Sequence, residues 1–394
     1  MKKLKVRHKV LIGVGVFAVL LTVFMCVVCH DVTIVEGTGN LDGKYKTVLA
    51  NVDGIVEANP RYVDIAMLGS HDAITDKITS DSPIDLKDEG GALDIIEPIS
   101  AGMQYRYGKT QAVGLGAQLA QGARFFHIKC TDYYGTWYGT HTHLCGKLDD
   151  DLMEVLQYLA SDEAKGEIVT LLFQPMYFCD GATLDTLSEH INSVKYNDKS
   201  LFDYLYLDEV DVYDEGNGAK RIGELTYNDL TKDGTQAGVV ILYRREDGNF
   251  KPQWDGNSTL TKRCFDMDAC AMHKWHSSIG SNRLIKKINA YCDTVEQDAN
   301  YSSKLRLNQS QASLAVGGVG EFFDMVGSWS LLRFANRHNV KLLQNKNFDR
   351  WLTYMPVFQV DFCNSEKGNF NQLVNERIKE HNQNMVNAIL ASKA

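Results

Sequence analysis

Short apolar runs recur along this chain, each flanked by turn residues and separated by helical patterns, and this alternation limits the fold more than any other feature. The runs cover 63–68, 124–130, 167–173, 237–243, 305–309 and 357–362. Each has the length and the β-branched or aromatic content of a buried strand. Weaker strand signals lie at 136–140 and 269–275. Helical patterns fall at 110–121, 148–159, 183–194, 282–291, 319–338 and 369–390. In the segment 148–159, Leu148, Leu152, Val155, Leu156 and Leu159 line one face, and Asp149, Asp150 and Asp151 occupy the first turn. An apolar stripe with acids near the positive end of the helix dipole predicts an amphipathic helix packed on a sheet. About eight strands alternating with helices predict a parallel α/β architecture. The first and the last strand both end in polar residues, so their ends are expected to converge. That favours a distorted TIM-type (β/α) barrel over a doubly wound sheet.

The N-terminus breaks this pattern. Lys2, Lys3, Lys5, Arg7 and Lys9 form a basic tail over 1–9, followed by an uncharged apolar run over 10–29. Such a run is long enough to span a bilayer as a helix, and its basic flank predicts a cytoplasmic N-terminus. The expectation is a transmembrane signal anchor holding the rest of the chain on the extracytoplasmic face, or a secreted protein if the segment is cleaved. Residues 30–60 read as a polar connector with Gly37, Gly39 and Gly43, leaving 61–394 for the barrel. The formal net charge of −9 gives no support to a nucleic-acid partner. Beyond residue 29 stand Cys130, Cys145, Cys179, Cys264, Cys270, Cys292 and Cys363. Cys130–Cys145 and Cys264–Cys270 are candidate disulfides, with buried free thiols as the alternative.

The residues suited to chemistry cluster at strand ends. Leu68-Gly69-Ser70-His71-Asp72 closes the first apolar run on a His-Asp pair. Lys129 ends the second run, and His141 and His143 follow it. Asp361 ends the last run between Val360 and Phe362. In a closed barrel the last strand neighbours the first, so Asp361 is placed to accept from His71 and orient it. Two imidazoles and a cation drawn from separate strand ends suit acid–base chemistry on an anionic substrate.

These blocks resemble, in order, the X domain of the phosphatidylinositol-specific phospholipase C family, in its bacterial metal-independent form. Gly69-Ser70-His71-Asp72 is similar to the family's G-T-H-D/N signature. Thr110-Gln111, Gln118-Leu119 and Gly122-Ala123-Arg124-Phe125-Phe126 resemble its T-Q, Q-L and G-x-R blocks. Further similarity lies in His141 with the Leu148 helix, Glu167 to Leu171, Val239 to Arg245, Trp254-Asp255, Leu307-Asn308 and Val360-Asp361-Phe362. The resemblance covers roughly residues 60–385 and implies a distorted TIM-type barrel without a cofactor or metal.

It further implies cleavage of phosphatidylinositol or a related phosphodiester at a membrane surface, giving diacylglycerol and an inositol cyclic phosphate. By position, His71 is the implied general base and Asp361 its partner. Asp72 helps to place the cation, and His141 is the general acid. Lys129 takes the cation role, and Arg244, Trp254, Asp255 and His143 are implied substrate contacts. The chain departs from the pattern in two places. His127-Ile128-Lys129 replaces the family's D-x-R, exchanging a bidentate guanidinium for a point charge. Thr142 replaces the glycine after the acid. A second reading is therefore a catalytically impaired module that binds a phosphoinositide or another surface ligand. The oligomeric state is not fixed by the sequence.

Overall fold

The computed structural model describes residues 45–85, 87, 108–179, 181–246, 251–278, 280–311 and 331–394. The expected anchor at 10–29 lies outside these residues, as do 319–330 of the expected helix. Among the described residues, no helix is long and apolar enough to cross a membrane.

Eight strands run parallel, as the strand–helix alternation predicts. They are β1 (Met67–Ser70), β2 (Ala123–Tyr133), β5 (Ile168–Tyr177), β6 (Gly238–Tyr243), β7 (Phe265–Asp266), β8 (Ala271–Met272), β9 (Leu305–Gln309) and β10 (Val357–Val360). The pairing path is β7-β6-β5-β2-β1-β10-β9-β8. The last long strand therefore pairs with the first, as a barrel requires. The two ends of the path, β7 and β8, are consecutive in the chain and are joined through a four-residue helix (Met267–Cys270). The sheet is thus an incompletely closed barrel. An antiparallel hairpin, β3 (Thr136–His141) and β4 (His143–Lys147), grows from the end of β2.

Among the described residues the helices are α1 (Ile55–Ala58), α2 (Leu115–Ala120), α3 (Leu148–Leu159), α4 (Leu184–Ser193), α5 (Tyr227–Thr231), α6 (Met267–Cys270), α7 (Ser281–Gln297), α8 (Leu331–Leu343), α9 (Phe348–Tyr354) and α10 (Phe370–Lys393). Strand alternation divides the core in two. Leu68, Phe126, Leu171, Ile241 and Phe358 face Leu152, Leu187, Leu284 and Trp351 from the helices. Met67, Phe125, Leu172, Leu242, Leu307 and Val357 form the inner layer. Leu49, Val52, Ile55 and Ala58 join that inner cluster, although the sequence reads 30–60 as a connector.

A buried ion pair ties the N-terminal ends of β2 and β5 together. Arg124 donates from Nε to Glu167 at 2.7 Å, and the other Glu167 oxygen accepts from the amides of Val48, Leu49 and Ala50. All seven cysteines named above are free thiols, and six of them are buried. The expected pairs Cys130–Cys145 and Cys264–Cys270 are not formed, and burial pushes these thiols well above their usual range.

Candidate active site

The site grows from the inner columns of three adjacent strands. Met67 and Gly69 of β1 pair in register with Val357 and Gln359 of β10, and Gly69 also pairs with Phe125 of β2. Two residues further along each column come His71, Asp361 and His127. With a side-chain period of two, all three point to the same side. Gly69 is required at the layer below: a Cβ there would lie 3.1 Å from the Gln359 Cα and 3.3 Å from the Phe125 ring.

His71 Nδ1 lies 2.8 Å from Asp361 Oδ1, and both side chains are buried. His127 stacks on His71 with ring centroids 5.1 Å apart. Asp72 would face away on a regular strand. Its φ of 40°, in the left-handed region that Asp tolerates better than most residues, turns the carboxylate back inward. There it meets three imidazoles: His71 Nε2 at 3.3 Å, His127 Nδ1 at 3.0 Å and His141 Nε2 at 3.3 Å. The β3–β4 hairpin carries His141 back over the strand ends. The Gly108 carbonyl, 2.6 Å from His141 Nδ1, leaves Nε2 directed at Asp72.

A second layer of hydrogen bonds holds this arrangement. Gln111 donates from Nε2 to the His71 carbonyl at 2.9 Å and accepts from the Cys363 amide at 3.1 Å. Thr110 donates to the Asp72 carbonyl at 2.9 Å, and Asn339 donates to the Asp361 carbonyl at 2.8 Å. The Thr110-Gln111 pair therefore laces the ends of β1 and β10 together.

The charges are strongly coupled. Burial opposes protonation of His71, but the carboxylates of Asp72 and Asp361 outweigh it and raise its pKa. Burial alone would raise Asp72. His71, His141 and His127 instead pull it well below the ordinary carboxylate range. For His127 burial wins over Asp72, and its pKa falls. Lys129 follows His127 on the same column, half-buried, with Nζ 6.0 Å from the Tyr177 ring. Its charge weighs against protonation of both His71 and His127.

The structure thus brings His71, Asp72, His141 and Asp361 together, with Lys129 nearby. The remaining sequence candidates are engaged elsewhere. His143 is buried, 3.0 Å from the Thr142 hydroxyl. Arg244 pairs with Asp268 at 2.8 Å and with Glu246. Trp254 donates to the Gly256 carbonyl at 2.8 Å, while Asp255 accepts from the Leu184 amide at the start of α4 and pairs with Arg245. None of these contacts directs the residue at the imidazole cluster.

Two neighbours were not among the sequence candidates. His127 entered only as a departure from a motif, yet its position two residues before Lys129 already placed it on the same face. Trp275 is half-exposed, with its ring edge-on to His71 at 5.5 Å. Of the aromatics near the hairpin, Trp137 is buried against Phe178 and Tyr134 is almost fully exposed. Asp85 accepts from the Thr140 hydroxyl of this hairpin and from the Tyr133 hydroxyl at the end of β2, both at 2.7 Å.

No family model matches the chain, and no curated protein matches it. Solved structures do. A phosphatidylinositol-specific phospholipase C from Staphylococcus aureus aligns with a TM-score of 0.51 and 16% identity, over 81% of this chain and 93% of its own. A variant of that enzyme aligns at 0.54 and 13%, over 85% and 99%. The phosphatidylinositol-specific phospholipase C of Listeria monocytogenes aligns at 0.50 and 16%, over 82% and 95%. At such identities the likeness shows the fold: a parallel-stranded α/β barrel of the kind those phospholipases have.

Proposed function

We propose that this protein is a phosphodiesterase that cleaves phosphatidylinositol or a closely related phosphodiester, using His71 as general base and His141 as general acid. The observation that carries the reading is the His71–Asp361 contact of 2.8 Å beside His141, on a barrel shared with phosphatidylinositol-specific phospholipases. Asp361 holds His71 Nδ1, which leaves Nε2 to take the proton from an attacking hydroxyl next to the phosphate. Such intramolecular attack gains from proximity and produces a cyclic phosphodiester. His141 protonates the departing lipid oxygen. Lys129 balances charge on the phosphoryl oxygens, and Asp72 orients both imidazoles. In this reading the lipid is presented at a membrane surface on the extracytoplasmic side, with residues 10–29 as anchor; the support for that part is the sequence alone.

The binding-module alternative draws its support from His127 and Lys129, which replace an acid and an arginine of the resembled motif. Turnover separates the two. The full chain in detergent, with excess EDTA, is expected to release diacylglycerol from phosphatidylinositol and to leave phosphatidylcholine intact. Binding of phosphatidylinositol vesicles without release would favour the module.

A further inference from the structure

We infer that His71 Nε2, the Asp72 carboxylate and His127 Nδ1 form a binding site for one zinc-like divalent ion, and that its occupancy shuts off the proposed base. The inference rests on the reading above only for its effect on activity. Donor atoms of His71, Asp72 and His127 all lie within 4.8 Å of one another, and these three side chains are buried. Two polar atoms aimed into this space, His71 Nε2 and Asp72 Oδ1, have no hydrogen-bond partner. Buried polar atoms are rarely left so without a ligand, water or catalytic reason.

The contact between His127 and Asp72 points the same way. In the tautomer in which His127 Nδ1 accepts from the Asp72 amide at 3.3 Å, this nitrogen carries the lone pair. It nevertheless faces Asp72 Oδ1 at 3.0 Å. Two acceptors across such a gap are satisfied by a cation between or beside them.

The dimensions suit zinc. Metal–ligand bonds of about 2.0–2.1 Å in a tetrahedron separate neighbouring ligand atoms by about 3.3 Å. His71 Nε2 lies 3.3 Å from Asp72 Oδ2 and His127 Nδ1 lies 3.0 Å from Oδ1 of the same carboxylate. The outer contact suits it too. Asp361 holds Nδ1 of His71, the usual support for an imidazole ligand. A set rich in imidazole nitrogen selects zinc, cobalt, nickel or copper over magnesium or calcium, which prefer all-oxygen ligands. Binding at His71 Nε2 would take the lone pair that the general base needs.

The test is titration of the full chain, stripped with EDTA and dialysed, with Zn2+ by calorimetry and with Co2+ by visible absorption. We expect a site of one ion per chain with the visible bands of four-coordinate Co2+. His127→Gln is expected to weaken zinc binding at this site at least 100-fold, while His143→Gln leaves it unchanged. The His127→Gln comparison also separates this site from binding by Cys26 and Cys29 near the N-terminus. Zinc is expected to inhibit phosphatidylinositol cleavage at least tenfold, reversibly with EDTA, and the His127→Gln variant should lose this sensitivity relative to its own metal-free rate. Absence of stoichiometric binding, affinity unaffected by His127→Gln, or only weak octahedral Co2+ absorption would overturn the site. The Co2+ spectrum of the unmutated chain decides the matter if His127→Gln misfolds. Binding with an unchanged rate would overturn the inhibitory role. Binding in a chain that cleaves no phosphodiester would leave the metal site standing and remove the phosphodiesterase reading instead.

Discussion

His71 and Asp361 follow directly on the ends of the neighbouring parallel strands β1 and β10, one step of the inner column beyond the paired residues Gly69 and Gln359, and meet at 2.8 Å. The contact follows from register, and the column repeat itself orients the imidazole. His71→Ala is expected to lower phosphatidylinositol turnover at least 1,000-fold, and Asp361→Asn about 100-fold or more, the scale of general-base loss. Circular dichroism should show both variants folded. Near-normal turnover in folded His71→Ala would remove it as the base.

His141 reaches the Asp72 carboxylate, whereas His143 bonds to Thr142. Replacing His141 with alanine should cost at least 100-fold in rate on ordinary lipid. The loss should shrink on a substrate whose leaving group needs no proton, such as a nitrophenyl ester. His143→Ala should retain most of the activity on both substrates. The reverse pattern would assign the acid to His143.

The buried Arg124–Glu167 pair holds the bottom of the barrel rather than its site. Glu167→Ala leaves a buried guanidinium unpaired and three amides without their acceptor. Breaking such a pair costs about 3–5 kcal/mol. Urea denaturation should show that loss, with phosphatidylinositol turnover per folded molecule unchanged. A loss of under 1 kcal/mol would mean that water or another group replaces the carboxylate.

His338 is buried, and its pKa is pushed down to about 4 by burial against the ordinary 6.5. The unfolded chain takes up a proton as pH drops below 6.5, and the folded chain does so only near 4. This group's stabilising contribution is therefore complete above 6.5 and is lost on acidification toward 4, by at most about 3 kcal/mol. Asp151, raised to about 7 by burial, acts in the opposite sense over much of the same window. The difference in stability between wild type and His338→Gln isolates the imidazole. It should shift in favour of the variant as pH falls from 6.5 to 4, and a flat difference would show that His338 is accommodated protonated.

The elements that could be read from sequence are those whose pattern and packing agree. The strand at 305–309 and the helix at 148–159 appear with the expected bounds. The first strand begins later than its apolar run. Tyr62–Asp64 winds into a 3-10 turn instead, with the Tyr62 hydroxyl 2.8 Å from that of Thr170. Of the weak strand at 269–275, only Ala271–Met272 forms a strand, β8; residues 269 and 270 belong to α6, where the Asp266 side chain caps the Ala269 amide. In the site, residues fixed by strand periodicity were legible: His71, Lys129 and Asp361. Asp72 was named, but its place between three imidazoles depends on a left-handed backbone turn that the local sequence does not announce. Trp254 and Asp255 show the limit of motif reading, since their polar atoms serve the Gly256 carbonyl and the start of α4.

Phosphorus NMR of phosphatidylinositol in mixed micelles, with excess EDTA and the full chain, tests the central claim most directly. The account predicts the resonance of a five-membered cyclic inositol phosphate, growing with wild-type protein and absent with folded His71→Ala. A linear inositol phosphate as the first product, or no new phosphorus resonance from folded wild-type protein, would contradict it.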